Sequence, residues 1–215
     1  MEENKKGLYE TGAVLENYIL AAVEEEGGEI SAEQSLDELA DLLRTAGGEE
    51  AGRVIQKRES PHPKTYLGSG KVEEVKAMLE SRGASGLITD DELTPAQLRN
   101  LSEALGTKVI DRTLLILDIF SQRASTKEGQ TQVELAQLNY RLTRLAGLGT
   151  ELSRQGGSVG GGNHSRGAGE TKLELDRRII RGRIEDLTKE LKELSRQRAM
   201  RRARREKQGE TIVAL

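Results

Sequence analysis

Two rhythms of apolar residues divide the chain. Over its first half, short apolar stretches at 12–20, 52–56, 86–89 and 108–110 alternate with segments at 31–43, 70–80 and 94–105 in which apolar residues return every three or four positions. Side chains repeat every two residues along a strand and every 3.6 along a helix, so the short stretches predict strands and the periodic ones amphipathic helices. Ser31 suits an N-cap, Pro95 a first helical position, and Gly83 and Gly106 suit C-caps. Strand, helix, strand, three times over, predicts an α/β fold: a small parallel sheet of about four strands with right-handed crossovers and helices on its faces.

From Leu114 onward the pattern becomes helical throughout, with a bend predicted at 125–130 on the way into a long arm. Leu135, Leu138, Leu142, Leu145 and Leu152 fall on one seam of alternating three and four spacing, broken where Gly149 takes an apolar place. Leu173, Ile180, Ile184, Leu187, Leu191 and Leu194 form a second seam, interrupted near Asp176. Between the seams lies GGSVGGGNHSRGAGE, residues 156–170, with seven glycines. Two seams joined by one glycine-rich connection predict an antiparallel hairpin whose helices bury their stripes on each other, with a flexible tip. At ~1.5 Å per residue the second helix spans roughly 30 Å between Leu173 and Leu194, which holds the tip far from the sheet. The same heptads also fit a dimerising coiled coil. The expected organisation is an α/β domain at 1–112, a hairpin at 113–208, and at 209–215 a strand that opens a further folded unit, since TIVAL follows Gly209 with no partner strand left.

Composition sharpens this picture. Of 215 residues 32% are charged, no apolar run is long enough to span a membrane, no h-region follows the first residues, and there is no cysteine. These features predict a cytoplasmic protein without disulfides or thiolate metal ligands. One Phe, four Tyr and no Trp leave little for stacking on single-stranded bases. Charge is unevenly spread: 3 basic against 14 acidic residues over 1–50, 12 against 12 over 51–140, and 18 against 10 over 141–215. The hairpin is the basic part, and Arg196, Arg198, Arg201, Arg202, Arg204, Arg205 and Lys207 crowd its end beside one acid, Glu206. A polyanion such as RNA suits that cluster, as does a solvated helix face.

Candidate chemistry is sparse. Glycines permit close backbone approach, and Arg166, Arg177 and Arg178 beside them suit bidentate phosphate contact. The candidate RNA-binding set is therefore Gly156, Gly157, Gly160, Gly161, Gly162, Asn163, His164, Arg166, Gly167, Gly169, Arg177 and Arg178, with Glu170 in the first turn of the helix that follows. Gly68, Gly70 and Lys71 form a possible weak nucleotide or anion site at a helix start, or a structural turn; Thr65 and Val72 stand where a Walker A motif needs Gly and Ser or Thr. His62 and His164, far apart and without cysteine, do not suggest a metal site, and Pro61-His62-Pro63 reads as a rigid extended link. Asp111-Arg112, at the carboxyl end of a strand, is either functional or an ion pair at a domain joint. No spacing of nucleophile, base or carboxylates suggests catalysis.

Several stretches together resemble the HflX family of translational GTPases: YLGSGKVEE at 66–74, DELTPAQLRNL at 91–101, DRTLLILDIF at 111–120, QVELAQL at 132–138, GAGE at 167–170 and LELDRR at 173–178. The connection at 156–166 is longer than is usual there, Ala168 replaces a common proline and Lys172 a common glutamine. The resemblance implies an α/β domain and a helical arm preceding a GTPase domain. It implies an arm whose glycine-rich loop reaches rRNA near the peptidyl transferase region of the large ribosomal subunit and promotes subunit separation. The chain itself is expected to be monomeric. GTP and Mg2+ would belong to the GTPase domain, whose first strand would be 211–215, leaving this chain without a cofactor or hydrolysis of its own. Adenine-nucleotide binding, also associated with the family, would fall to Gly68, Gly70 and Lys71; an adenine-nucleotide hydrolase and a coiled-coil dimeriser are the competing readings.

Overall fold

A computed structural model describes residues 16–25, 31–155 and 166–208. The strands are β1 (Asn17–Glu24), β2 (Glu49–Lys57), β3 (Gly86–Thr89) and β4 (Lys108–Asp111). The helices are α1 (Ala32–Thr45), α2 (Ser69–Arg82), α3 (Pro95–Leu105), α4 (Arg112–Arg123), α5 (Lys127–Gln155) and α6 (Arg166–Lys207). All strand pairs are parallel and the order is β2-β1-β3-β4, so the direction of winding reverses between β1 and β3.

Alternation along the strands feeds two cores. Ile19, Ala21, Leu87 and Val109 face α2 and α3, where Val72, Val75, Leu79, Leu101 and Leu105 are buried against them. Tyr18, Leu20, Ala22, Ile88 and Ile110 face α1 and α4, meeting Leu36, Leu39, Leu43, Leu115 and Ile119. The interior strands are buried on both faces, which is why they read as short apolar runs. Gly86 is required where β3 lies between its neighbours, since a Cβ there would run into the Lys108 carbonyl oxygen.

The caps act as their residue types require. Ser31 accepts from Gln34 N, Thr94 and Gln97 make a reciprocal capping box with Pro95 at N1, and Gly83 and Gly106 end α2 and α3 at φ 58° and 65°. Differences from the expected pattern have physical reasons. Strand β1 runs on to Glu24, because Ala21 and Ala22 continue the buried run and Val23, half-buried, packs against the same core as Ala21. Strand β2 starts at Glu49 and ends at Lys57, longer than its apolar stretch, because an edge strand tolerates the polar residues that hide its ends in sequence. Residues 12–15 and the expected strand at 211–215 lie outside the described residues.

Two segments depart further. Pro61-His62-Pro63 is no extended link: His62 and Tyr66 exchange both backbone hydrogen bonds at 2.8 Å, and Tyr66 takes a positive φ of 63°. Gln97 Nε2 and Asn100 Nδ2 donate to the His62 and Lys64 carbonyls, each at 2.9 Å, and tie this turn to α3. Helix α4 does not lead straight into the arm but covers the sheet beside α1. The chain turns only over 124–126, and α5 begins at Lys127 with Gly129 N donating to Thr126 Oγ1 at 3.1 Å.

Candidate nucleic-acid interface

The hairpin is α5 packed on α6, 29 and 42 residues long, or roughly 43 and 63 Å at ~1.5 Å per residue. Ile180, Ile184, Leu191 and Leu194 are half-buried and Leu187 fully buried, so the seam predicted for α6 is used within the chain against α5. Polar contacts set the antiparallel register. Arg183 makes a two-pronged pair with Glu134 at 2.8 and 3.0 Å, Lys127 meets Glu190 at 3.1 Å, and Arg198 meets Glu128 at 3.2 Å. These pairs are largely exposed and add little stability each, but they pin which residue faces which.

Near the far end the sequence expectations divide. Gly156, Gly157, Gly160, Gly161, Gly162, Asn163 and His164 lie outside the described residues. Arg166, Gly167 and Gly169 fall in the first turns of α6, which starts seven residues before Leu173. A glycine inside a helix costs only about 1 kcal/mol against alanine, and a long helix with a packed face absorbs two of them. Arg177 is turned inward, 18% exposed, its Nη2 donating to the Leu145 carbonyl at 2.7 Å and its Nη1 3.6 Å from Glu174. It clasps the two helices together. Arg178 is exposed. At the other candidate site, Gly68 is the extended N-cap of α2, its N–H donating to Gln56 Oε1 at 2.8 Å, and a Cβ there would meet Arg58 Nη1 at 2.9 Å. Gly70 sits in the first turn, and Lys71 Nζ folds back onto Glu74 at 2.8 Å. Among the described residues no cluster of His, Asp and Glu could hold a metal ion.

What anchors the arm is Asp111, whose partner across the joint is Arg144 and not the adjacent Arg112. This carboxylate is fully buried at the end of β4. Oδ1 accepts from Leu114 N at 3.0 Å, capping α4; Oδ2 accepts from Leu93 N at 3.2 Å, Tyr140 OH at 2.9 Å and Arg144 Nη2 at 2.6 Å. One side chain thus ties the sheet, the loop after β3, α4 and α5. The Arg144 guanidinium also stands 4.4 Å from the Tyr140 ring centroid and reaches Glu92 at 3.4 Å. Arg112, the expected partner, instead pairs with Glu38 at 2.7 Å and Asp90 at 3.1 Å, bracing α1 against the sheet end. Tyr140 and Arg144 went unnoticed because they lie off the leucine seam. Their signal was an aromatic and a cation four apart on a second face of α5.

Three phenols are held protonated by this packing. Burial comes first for each, aided by the Asp91 charge at Tyr66, the Asp111 charge at Tyr140 and the Glu16 hydrogen bond at Tyr18, and all three are pushed above the ordinary value. The folded chain keeps protons that the unfolded chain releases above about pH 10, so this contribution is complete below that pH and fades as pH rises beyond it. In an absorbance titration, at least three of the four tyrosines should therefore ionise only above the ordinary range, and stability should fall there. Simultaneous ionisation of all four near 10 would contradict the packing of Tyr66 and Tyr140.

Models of two protein families match: the GTP-binding GTPase N-terminal region over residues 33–121 and the GTP-binding GTPase middle region over 123–205. The curated protein GTPase HflX of Lacrimispora saccharolytica is 53% identical over 208 residues, 97% of this chain and 48% of that protein. The chain belongs to the HflX family. It is also 44% identical to GTPase HflX of Escherichia coli K12 over 182 residues, 85% of this chain and 42% of that one. The chain thus spans about half the length of the curated relatives it matches, and corresponds to their N-terminal and middle regions. The crystal structure of SsGBP in complex with GDP shares the fold, with TM-score 0.61 at 24% identity, covering 86% of this chain and 46% of that one. A GTP-binding protein from Sulfolobus solfataricus, also in complex with GDP, gives 0.53 at 24% identity, covering 83% and 46%. No helix among the described residues is long and apolar enough to cross a membrane.

Proposed function

We propose that this chain is the ribosome-engaging half of an HflX-type GTPase. Its α/β unit and arm bind the large ribosomal subunit, the tip at 156–169 contacts rRNA near the peptidyl transferase centre, and binding promotes separation of the subunits. GTP and Mg2+ belong, in this reading, to the half of the relatives that this chain does not span. The chain acts in the cytoplasm as a monomer and contributes binding rather than catalysis. The observation that supports this most is the geometry of the arm: a helical pair about 40 Å long, braced near the middle of α5 by the buried Asp111 network, with the exposed Arg178 beside that brace and a glycine-rich connection beyond it in sequence. Past the brace at Arg144 the pair runs on over residues 145–155 of α5, roughly 16 Å at ~1.5 Å per residue, which suits delivery of a tip into a narrow cavity. The inward placement of Arg177 removes it from the RNA-contacting set in favour of the hairpin clasp.

Sedimentation of the chain with purified large subunits at graded salt tests the reading. The chain should pellet with the subunit at low salt, and the apparent affinity should fall steeply as salt rises, because each neutralised phosphate releases counterions. No co-sedimentation at low salt would refute it.

A further inference from the structure

The stripe of α6 that faces α5 changes chemistry along its length. At three and four residue spacing it runs Ile180, Ile184, Leu187, Leu191 and Leu194, and then Arg198, Arg201, Arg205 and Gln208. The change coincides with the end of α5: Arg198 pairs with Glu128 in the first turn of that helix, and beyond it no described element is there to receive the stripe. Among the described side chains of α6, Gln197 is the last half-buried one, and every residue from Arg198 to Arg205 is exposed. Arg201, Arg204 and Arg205 line a groove between the start of α5 and the end of α6, in which Glu128 is the acid present. Among the described residues none of these three arginines has an acidic partner.

We infer that this overhanging stripe is a second nucleic-acid contact, at the base of the arm, which grips the phosphate backbone of an RNA helix. A helix face kept for another helix or a protein core would continue the leucines, since interface cores are depleted of charge; this one turns to guanidinium at Arg198, Arg201 and Arg205. Guanidinium forks match phosphate oxygens bidentately, and on one helix face they recur about every 5 Å along the axis. No aromatic residue lies among them, so the stripe reads backbone rather than bases, with little sequence preference. It lies at the opposite end of the hairpin from the tip, so tip and base would hold the RNA at two separated places. Only the identity of the RNA as ribosomal rests on the function proposed above.

The test uses the full chain and a fluorescent 20-base-pair RNA duplex, which requires no ribosome. R201Q/R204Q/R205Q keeps exposed, helix-compatible side chains, and its circular dichroism should match the parent. Its affinity for the duplex at 50 mM salt should drop at least tenfold, and the slope of log affinity on log salt should shrink by about 2 to 3, close to one per lost phosphate contact. Equal affinity and slope for parent and triple variant would overturn the proposal, whether or not the tip binds subunits. So would a photocrosslinker at position 204 that, in subunit complexes, labels an acidic ribosomal protein and no rRNA; that outcome would reassign the stripe to a protein partner.

Discussion

Replacement of residues 156–165 by a four-residue turn is expected to cost most of the affinity for large subunits, at least tenfold, while melting stays within a few degrees of the parent. The cut is placed there because α6 already begins at Arg166, so the hairpin loses none of its packing. Shortening a connection from ten to four residues changes closure entropy by less than about 1 kcal/mol. Point variants divide the roles further. Arg178→Ala should weaken subunit binding by about 1 kcal/mol, the size of a charge-assisted contact net of solvation, without a change in stability. Arg177→Ala should do the reverse, because its guanidinium serves the Leu145 carbonyl on α5. If the shortened chain sediments with subunits as the parent does, the tip is a connection only and the central reading of the arm fails. If the same cut unfolds the hairpin, the glycines are structural.

The second large effect concerns the joint. Asp111→Ala should destabilise the chain by about 3–5 kcal/mol, since removing one partner of a buried pair leaves Arg144 charged and uncompensated while α4 loses its cap. For a chain of this size that is a fall in melting temperature on the order of 10 °C. Asp111→Asn, which retains a cap oxygen, should lose less stability but loosen the arm. The absence of cysteine allows a clean readout: two introduced cysteines, one on α3 and one on α6, carry spin labels whose distance distribution should broaden in D111N. A loss below about 1 kcal/mol in D111A by urea unfolding, or an unchanged distribution in D111N, would show that the arm is held by apolar packing on α3 and α4 instead.

Much of this molecule could be read without its structure, and particular residues show why. Periodicity located the four sheet strands and the three helices between them, because those elements bury one face or two and burial writes itself into spacing, whereas α4 was expected as the entry to the arm and covers the sheet instead. Ser31, Pro95, Gly83 and Gly106 marked helix ends through local backbone chemistry, which needs no tertiary partner. The leucine seams likewise announced a hairpin, since each helix had to hide its own stripe. Three things were decided only in three dimensions. Strand β2 gained its polar ends because it lies at an edge, a position that depends on strand order and not on its own residues. Arg177, placed beside a glycine-rich segment, resembled a phosphate ligand until the rotation of α6 turned it onto a carbonyl of α5. Asp111 found Arg144, 33 residues away, in preference to its neighbour Arg112, because the end of β4 meets the interior of α5 at one dry spot and a buried carboxylate takes whatever donors geometry brings there. Spacing along a chain reports which side chains must be hidden; which of them meet is settled by the packing angles between elements, and a linear pattern does not encode those.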